Sequence, residues 1–391
     1  NILSLTLNIL MWSFISPVLY TYFVYPLITI GIAKRKEAQK KAKEPIIPKL
    51  SILIAAHNEE LVIESKIKSI LSSKYPIDDI EIIIGTDNCT DNTDKIIQGY
   101  ANQHKIIKHV KFEKRSGKIK IINALFDKAL GEILVLTDAN VLFTEHTLSA
   151  LIQHFSDPKI GLVDSNMQNY GLKTTGISIP EKTYISIEGK LKHAEGRLWG
   201  KMMGPFGGCF AMRKKLFSKV PENFLVDDFF LNMSVLENGY SCVNEPEALV
   251  YEDVSNNLHA EFVRKSRISA GNFQNLSRFF HVLFKFNRLS FVFLSHKVLR
   301  WISPFFIIAV GIILCFIYAD SLLNTILLYS YVSSLMIIAF DLIFIKLGIH
   351  FKPFRYITHF AAMNTALFVG FFKFLGGSKS SVWKRTDRLQ S

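Results

Sequence analysis

Apolar positions fall along this chain in three different patterns, and each predicts a different environment. From Ile2 to Ala33 nearly every residue is apolar, and the first charge is Lys34. That run exceeds the roughly 20 residues a helix needs to cross a hydrocarbon layer. It is too long for a signal peptide, lacks a basic start and ends in lysines rather than small residues. It predicts a transmembrane helix over residues 1–33, kinked at Pro17 and Pro26. Between Leu50 and Tyr251 short β-branched runs alternate with helical ones. Leu50–Ala56, Glu81–Gly85, Ile106–Phe112 and Glu132–Thr137 read as buried strands. Within Glu59–Ser72 the residues Ile63, Ile67, Ile70 and Leu71 share a face, as do Ile122, Leu125 and Ala129 within Lys118–Leu130. This alternation predicts an α/β domain over residues 50–275, built on a parallel sheet. Three more apolar stretches, Ile302–Tyr318, Leu322–Ile345 and Ile357–Phe372, predict a C-terminal transmembrane region over 301–376. The last of them contains His359, Asn364 and Gly370 and reads as a crossing or as a re-entrant segment.

Charge refines this outline. The 391 residues carry 46 Lys and Arg against 33 Asp and Glu, a formal net charge of +13. Lys34, Arg35, Lys36, Lys40, Lys41, Lys43 and Lys49 crowd a basic linker over 34–49. Read as a juxtamembrane collar or as a plain charged linker, it sets the following domain in the cytosol. Over 276–300, Phe279, Phe280, Phe284, Phe286, Phe291 and Phe293 mix with Arg278, Lys285, Arg288, Lys297 and Arg300. That composition predicts helices lying in a membrane interface, with an ordinary packed helix as the alternative. A basic tail over 377–391 carries Lys379, Lys384, Arg385 and Arg388. Three complete crossings from a cytosolic start would leave it outside, against the positive-inside rule. Because positive charge concentrates beside apolar spans, a bilayer surface explains it better than nucleic acid does. Cys89, Cys209, Cys242 and Cys315 stand far apart, which argues against a zinc site or disulfide framework.

Candidate chemistry sits at strand ends, where open α/β sheets bind ligands. Asp87 follows the second predicted strand in Thr86-Asp87-Asn88-Cys89-Thr90-Asp91, and Asp138 ends the fourth in Thr137-Asp138-Ala139-Asn140. Two acids converging on one crevice point to a nucleotide or a metal–diphosphate site. Asp91 reads instead as a helix cap. His193, His259 and His296 lack metal spacing, and there is no dinucleotide fingerprint, phosphate-loop lysine or His-Glu-x-x-His.

The order of motifs resembles the family-2 glycosyltransferases, in particular the membrane-bound synthases of cellulose, hyaluronan and poly-N-acetylglucosamine. Ile54-Ala55-Ala56-His57-Asn58-Glu59-Glu60 looks like the family's opening strand and turn. Asp87 falls at its first aspartate, Asp138-Ala139-Asn140 at its Asp-x-Asp and Asp227-Asp228 at its acidic pair. Arg264-Lys265-Ser266-Arg267-Ile268 sits where such enzymes carry Gln-x-x-Arg-Trp. The resemblance implies a GT-A type, Rossmann-like domain that inverts the sugar it transfers, in a bacterial inner membrane with the catalytic domain cytosolic. It implies that Asp87 and the Ala56–Glu59 turn hold the nucleoside of a UDP-sugar, with Lys118 near the base or diphosphate. Asp138 and Asn140 would take the diphosphate and Mg2+ or Mn2+. Asp228, beside Asp227, would be the catalytic base, and Arg264 and Arg267 would steady the leaving diphosphate.

Asn140 departs from the second acid of Asp-x-Asp and would be a neutral ligand. Ile268 replaces the tryptophan and Arg264 the glutamine, which leaves processivity and the acceptor open. A polysaccharide-type acceptor leads, with a lipid acceptor or a catalytically degenerate scaffold subunit as alternatives. A narrow set of crossings also suggests a homo-oligomer or an accessory subunit. Gly204-Pro205-Phe206-Gly207-Gly208-Cys209 reads as an acceptor-side loop or a plain turn, after an amphipathic helix over Pro180–Met203. Trp383-Lys384-Arg385-Thr386 faintly resembles the gating loop of hyaluronan synthases.

Overall fold

A computed structural model describes residues 2–35, 46–170, 178–253, 258–349 and 351–377. Most of the basic linker and the tail with Trp383–Thr386 lie outside the described residues. The chain divides into two compact units. A helical unit comprises Asn1–Ile32, Lys173–Ser186 and Asn256–Gly377, and a sheet unit comprises Ala33–Leu172 and Ile187–Ser255.

The chain opens with helices α1 (Ile2–Leu19) and α2 (Tyr25–Arg35), and then builds the sheet unit. Its strands are β1 (Leu50–Ala56), β2 (Ile80–Asp87), β3 (Ile107–Phe112), β4 (Ile133–Thr137), β5 (Leu142–Phe143), β6 (Ile160–Tyr170), β7 (Cys209–Arg213) and β8 (Ser241–Asp253). Between them run α3 (Ile63–Leu71), α4 (Thr93–Gln103), α5 (Lys118–Lys128), α6 (Thr147–Ile152), α7 (Ser178–Trp199) and α8 (Asp227–Glu237). The eight strands form one sheet in the order β3-β2-β1-β4-β7-β6-β8-β5.

The expected parallel sheet is only half of this. β3, β2, β1 and β4 are parallel, but β7 runs antiparallel to β4, and β6 antiparallel to β7. β8 then lies parallel to β6, and the two-residue β5 closes the edge antiparallel to β8. The alternating segments before Thr137 do give the parallel half. Beyond Thr137 strands pair over long sequence separations, and local periodicity carries no information about their direction.

Helix placement follows from side-chain size. β1 is buried along its whole length, as a central strand covered on both faces must be. α5 buries Ile119, Ile121, Ile122 and Leu125. It comes close to β2 because Gly85 has no side chain: a Cβ there would sit 2.4 Å from Cγ2 of Ile121. That contact fixes the height at which α5 begins, and so where Lys118 stands.

The helical unit continues with α9 (Leu258–Phe279), α10 (Arg288–Val292), α11 (Leu299–Ile317), α12 (Leu322–Lys346) and α13 (Lys352–Leu375). Among the described residues three helices are long and apolar enough to cross a membrane: Ile2–Arg35, Arg288–Asp320 and Leu322–Lys346. The expected separation of 276–300 from the first C-terminal span is absent. Residues 280–285 form a 3-10 turn, and a capping box between Asn287 and Ser290 starts a helix that runs on past residue 300. α13 is a continuous helix of 24 residues whose buried positions include Arg355, Thr358, His359 and Asn364. Arg355 meets Asp341 of α12 at 3.3 Å with both side chains buried. These polar groups are packed against protein.

Two π-helical segments interrupt the spans, Tyr20–Val24 between α1 and α2 and Phe293–Val298 between α10 and α11. In the first, the Tyr25 amide reaches back five residues to the Tyr20 carbonyl just before Pro26, which has no amide hydrogen to give. The segments meet each other: Thr21 Oγ1 donates to the Ser295 carbonyl at 2.7 Å, and the Tyr20 and Ser295 hydroxyls lie 2.9 Å apart.

α9 and α13 touch through small residues. Ser269 Oγ donates to the Leu367 carbonyl at 3.1 Å, Lys373 Nζ donates to Ser266 Oγ at 2.7 Å, and Phe273 meets Phe371 edge-on. A Cβ on Gly370 would lie 2.3 Å from Ser269 Cβ and 2.9 Å from the Ala270 amide nitrogen. Gly370→Ala is therefore expected to destabilise the chain by about 1–3 kcal/mol, the usual cost of overpacking. Gly31→Ala, which meets nothing within 4 Å, serves as the control. Thermal denaturation in detergent should separate the two, and equal melting temperatures would refute the close contact.

Candidate active site

Three strand or helix ends in the sheet unit converge on the start of α5. Asp87, the last residue of β2, is fully buried, and its carboxylate is taken up by the loop before α5. Oδ1 accepts the Ser116 amide at 2.6 Å, while Oδ2 accepts the Gly117 amide at 3.1 Å and Arg115 Nη1 at 2.8 Å. Gly117 adopts φ +87°, a region open mainly to glycine, as it turns the chain into the helix. The Asp87 carbonyl also accepts His57 Nδ1 at 2.8 Å. Burial, with Arg115 nearby, pushes the His57 imidazole below its ordinary pKa, so it stays neutral over most of the physiological range.

The turn after β1 is clasped to the turn after β2. Asn58 Nδ2 donates to Thr90 Oγ1 at 3.0 Å, and the Thr90 amide returns a bond to Asn58 Oδ1 at 2.9 Å. The Glu59 amide donates to Thr93 Oγ1 and the Glu60 amide to Asp91 Oδ2. Asp91 Oδ1 also accepts the Thr93 amide at the start of α4, the capping role expected of it. Asn58 and Asn88 both have positive φ, which asparagine tolerates better than most residues. Ala56 ends β1 beneath this clasp.

Lys118, the first residue of α5, carries the loop's order to the other acids. Its Nζ lies 2.8 Å from Asp138 Oδ1 at the end of β4 and 3.9 Å from Asp227 Oδ2 in the first turn of α8. Burial works against the ammonium, yet Asp138, Asp227 and Asp228 together raise its pKa above the ordinary lysine value. Asp228 is shifted upward as well, but for a carboxyl that favours the neutral form. Burial, then the negative charge of Asp227, push its carboxyl up to about 7, against the pull of Lys118. Asn140 is buried and donates from Nδ2 to Glu252 Oε1 on β8 at 3.1 Å.

The loop beside Asp228 is held as firmly. Gly207 packs so tightly that a Cβ there would be 2.4 Å from Asp228 Oδ2. The Gly204 amide donates to Asn232 Oδ1 of α8 at 3.0 Å, and the Phe206 amide to Asp164 Oδ1 of β6 at 2.7 Å. Asp164 is fully buried, and Lys192 Nζ of α7 meets its other oxygen at 2.6 Å. Asn244 Nδ2 also donates to that oxygen, at 3.1 Å.

Of the candidates read from sequence, Ala56, Glu59, Asp87, Lys118, Asp138, Asn140, Asp227 and Asp228 lie in the sheet unit. Arg264 and Arg267 lie on α9 in the helical unit. Arg264 grips Glu261 with two nitrogens, at 3.0 and 2.7 Å. Although burial opposes it, Arg264 and Lys265 hold the Glu261 carboxyl down at about 2. Sequence reasoning missed Glu252, Asp164, Lys192 and the buried Lys66. Only Lys66 left a signal: it falls on the same helical face as Ile63, Ile67 and Ile70. All four cysteines are free.

Residues 51–220 match the Glycosyl transferase family 2 model, and this part of the chain is a glycosyl transferase family 2 domain. The chain is 27% identical over 274 residues to the probable glycosyltransferase YdaM of Bacillus subtilis, a match covering 67% of this chain and 63% of that protein. It is 26% identical over 296 residues to a poly-beta-1,6-N-acetyl-D-glucosamine synthase of Staphylococcus epidermidis, covering 74% of this chain and 71% of the relative. Among solved structures it is similar to the mannosyltransferase PcManGT from Pyrobaculum calidifontis, in complex with GDP-Man and Mn2+. The TM-score is 0.71 at 22% identity, over 94% of this chain and 99% of that one. The fold is of the GT-A glycosyltransferase type, with a mixed sheet.

Lys192→Met leaves the Asp164 carboxylate buried without its counter-charge, which should cost about 3–5 kcal/mol. Asp164→Asn combined with Lys192→Met should recover much of that loss. Denaturant titration of the purified variants checks this, and a double mutant no more stable than Lys192→Met would contradict it.

Proposed function

We propose that this chain is a membrane-anchored glycosyltransferase that moves a sugar, with inversion, from a nucleoside-diphosphate donor to a glycan acceptor. The observation that carries the reading is the gathering of Asp138, Asp227 and Asp228 around Lys118 at the start of α5, next to the loop that Asp87 fixes. The family-2 domain, and the synthase of a glucosamine polymer among its relatives, favour a polysaccharide-type acceptor. UDP is the expected nucleotide from the motif resemblance, and GDP is a second candidate because a GT-A neighbour holds GDP-Man.

On this reading Ala56, Glu59 and the clasped turns line the nucleoside pocket. Asp87 serves it from beneath, since its carboxylate is already engaged with residues 115–117. Lys118 meets the diphosphate while remaining charged. The donors offered by Asp138, Asn140 and Glu252 are all oxygens, which suits Mg2+ or Mn2+. Asp138 and Asn140 would hold the cation, and Glu252 fixes which way the Asn140 amide points. Among the described residues no group of three or more His, Cys, Asp and Glu could hold a metal ion. The remaining ligands would therefore be diphosphate oxygens and water. When bound, the cation stabilises negative charge on the departing diphosphate.

Asp228 is the proposed base. It accepts the acceptor hydroxyl's proton as that oxygen attacks the anomeric carbon, and a single displacement inverts the sugar. Burial next to Asp227 suits the task, because a carboxylate with a raised pKa is a stronger proton acceptor than an ordinary one. Arg264 and Arg267 are proposed to steady the leaving diphosphate, as the motif resemblance implies. The spans Ile2–Arg35, Arg288–Asp320 and Leu322–Lys346 would anchor the chain in a bacterial inner membrane, with the sheet unit on the cytosolic side.

Membranes containing the chain, supplied with labelled UDP- and GDP-sugars and Mn2+, are expected to yield labelled product. A polymer supports the glycan acceptor and a single-sugar glycolipid assigns a lipid one; no turnover and no donor binding would end the enzyme reading. A base must be ionised, so kcat/KM should fall roughly tenfold per pH unit on the acid side of Asp228's pKa and level off above it. That limb should lie near pH 7. Asp228→Asn should abolish transfer with nucleotide affinity preserved, and normal transfer by this variant would exclude Asp228 as the base. Asp138→Ala should weaken Mn2+-dependent nucleotide binding, which calorimetric titration reads directly.

A further inference from the structure

Lys66 stands on the buried face of α3 with no solvent exposure. Its Nζ donates to Thr137 Oγ1 at 2.8 Å and to the Val141 carbonyl at 2.5 Å, and lies 3.6 Å from the centre of the Phe143 ring. None of these partners is a carboxylate. Burial pushes the amine down to about 7, and the nearby negative charge of Asp138 only partly offsets that. Removing an ammonium from water without an opposing carboxylate is costly, and a methionine of similar shape would fill the space without that cost. Packing alone does not explain a lysine here.

Its two acceptors do. Thr137 immediately precedes Asp138-Ala139-Asn140, and Val141 immediately follows it. One nitrogen therefore joins both ends of the turn that presents Asp138 and Asn140. The turn is tied again from the far side, because Thr137 Oγ1 and the Asp138 amide both donate to the Gly208 carbonyl, at 2.9 and 3.0 Å. The Val141 amide closes it on the Asp138 carbonyl at 3.3 Å. Lys66 is the part of this arrangement that reaches the turn from the helix beneath it. Asp138 itself is partly exposed and meets Lys118.

The geometry points to Lys66 as a positioning residue for the donor site, one that holds the Asp138–Asn140 turn at the spacing a divalent cation and a diphosphate require. This rests on the function proposed above. It assigns to a buried lysine of α3 a part in donor binding that none of the acidic motifs implies.

The experiment compares wild type, Lys66→Met and Thr137→Val for Mn2+ binding by electron paramagnetic resonance, with UDP and with GDP, alongside thermal stability. Lys66→Met is expected to weaken nucleotide-dependent Mn2+ binding by about 10-fold to 100-fold, as loss of a group supporting metal ligands does. Its melting temperature should not fall in proportion. Thr137→Val, which removes one of the two acceptors, should show a smaller loss in the same direction, and it decides the matter if Lys66→Met does not fold. Wild-type affinity in whichever variant folds would overturn the proposal. A wild-type chain that binds Mn2+ with neither nucleotide would overturn the proposed function, and this inference with it.

Discussion

One cation among three carboxylates organises the sheet unit. Lys118 meets Asp138 directly and Asp227 more loosely, and the charge of Asp228 is also felt there. Without that ammonium, acids from β4 and α8 would repel one another across a partly dry crevice, where like charges interact more strongly than in water. Its position is fixed from below by Gly85, which lets α5 lie close on β2, and from the side by Asp87, which orders residues 115–117. A lysine in this position has two uses on the proposed reading. It balances the acids while the crevice is empty, and it offers its charge to phosphate once a donor enters.

The supporting shell shows why the acids can stay poised. Asp164, Lys192, Asn244 and Asn232 hold the 204–208 loop from within, and Gly207 presses that loop against Asp228 with no room for a methyl group. A raised carboxyl pKa is costly to maintain. Here it is sustained by burial and by Asp227 on the same helical turn, while Lys118 limits how far it rises. Two buried lysines thus take opposite parts: Lys192 neutralises a buried acid, and Lys66 binds only neutral oxygens.

Much of this was legible in the sequence, and the exceptions have physical causes. β1, β2 and β4 announce themselves because both faces are covered and their residues are almost continuously apolar, whereas β3, at the sheet edge, carries Lys108 and Lys111 and is less buried than the sequence suggested. The acids at their ends follow from where such sheets bind ligands. The direction of β6, β7 and β8 was not legible, since pairing across 40 or more residues leaves no local periodic trace. Glu252 and the Asp164–Lys192 pair were hidden for the same reason, because a side chain's partner is a tertiary fact. Lys66 was visible in principle, as a charge on an otherwise isoleucine face. The capping box at Asn287 and Ser290 was likewise written in the chain, although the surrounding phenylalanines drew the reading toward an interfacial helix.

The paired π segments Tyr20–Val24 and Phe293–Val298 bear on the phase of the helices they interrupt. A π turn houses one residue more than an α turn, so it takes up a residue that would otherwise rotate everything beyond it by about 100°. Within these wide turns Tyr20 and Thr21 meet Ser295. The helices on either side of the contact can therefore keep their phase, because the mismatch of one residue is absorbed where the two segments touch.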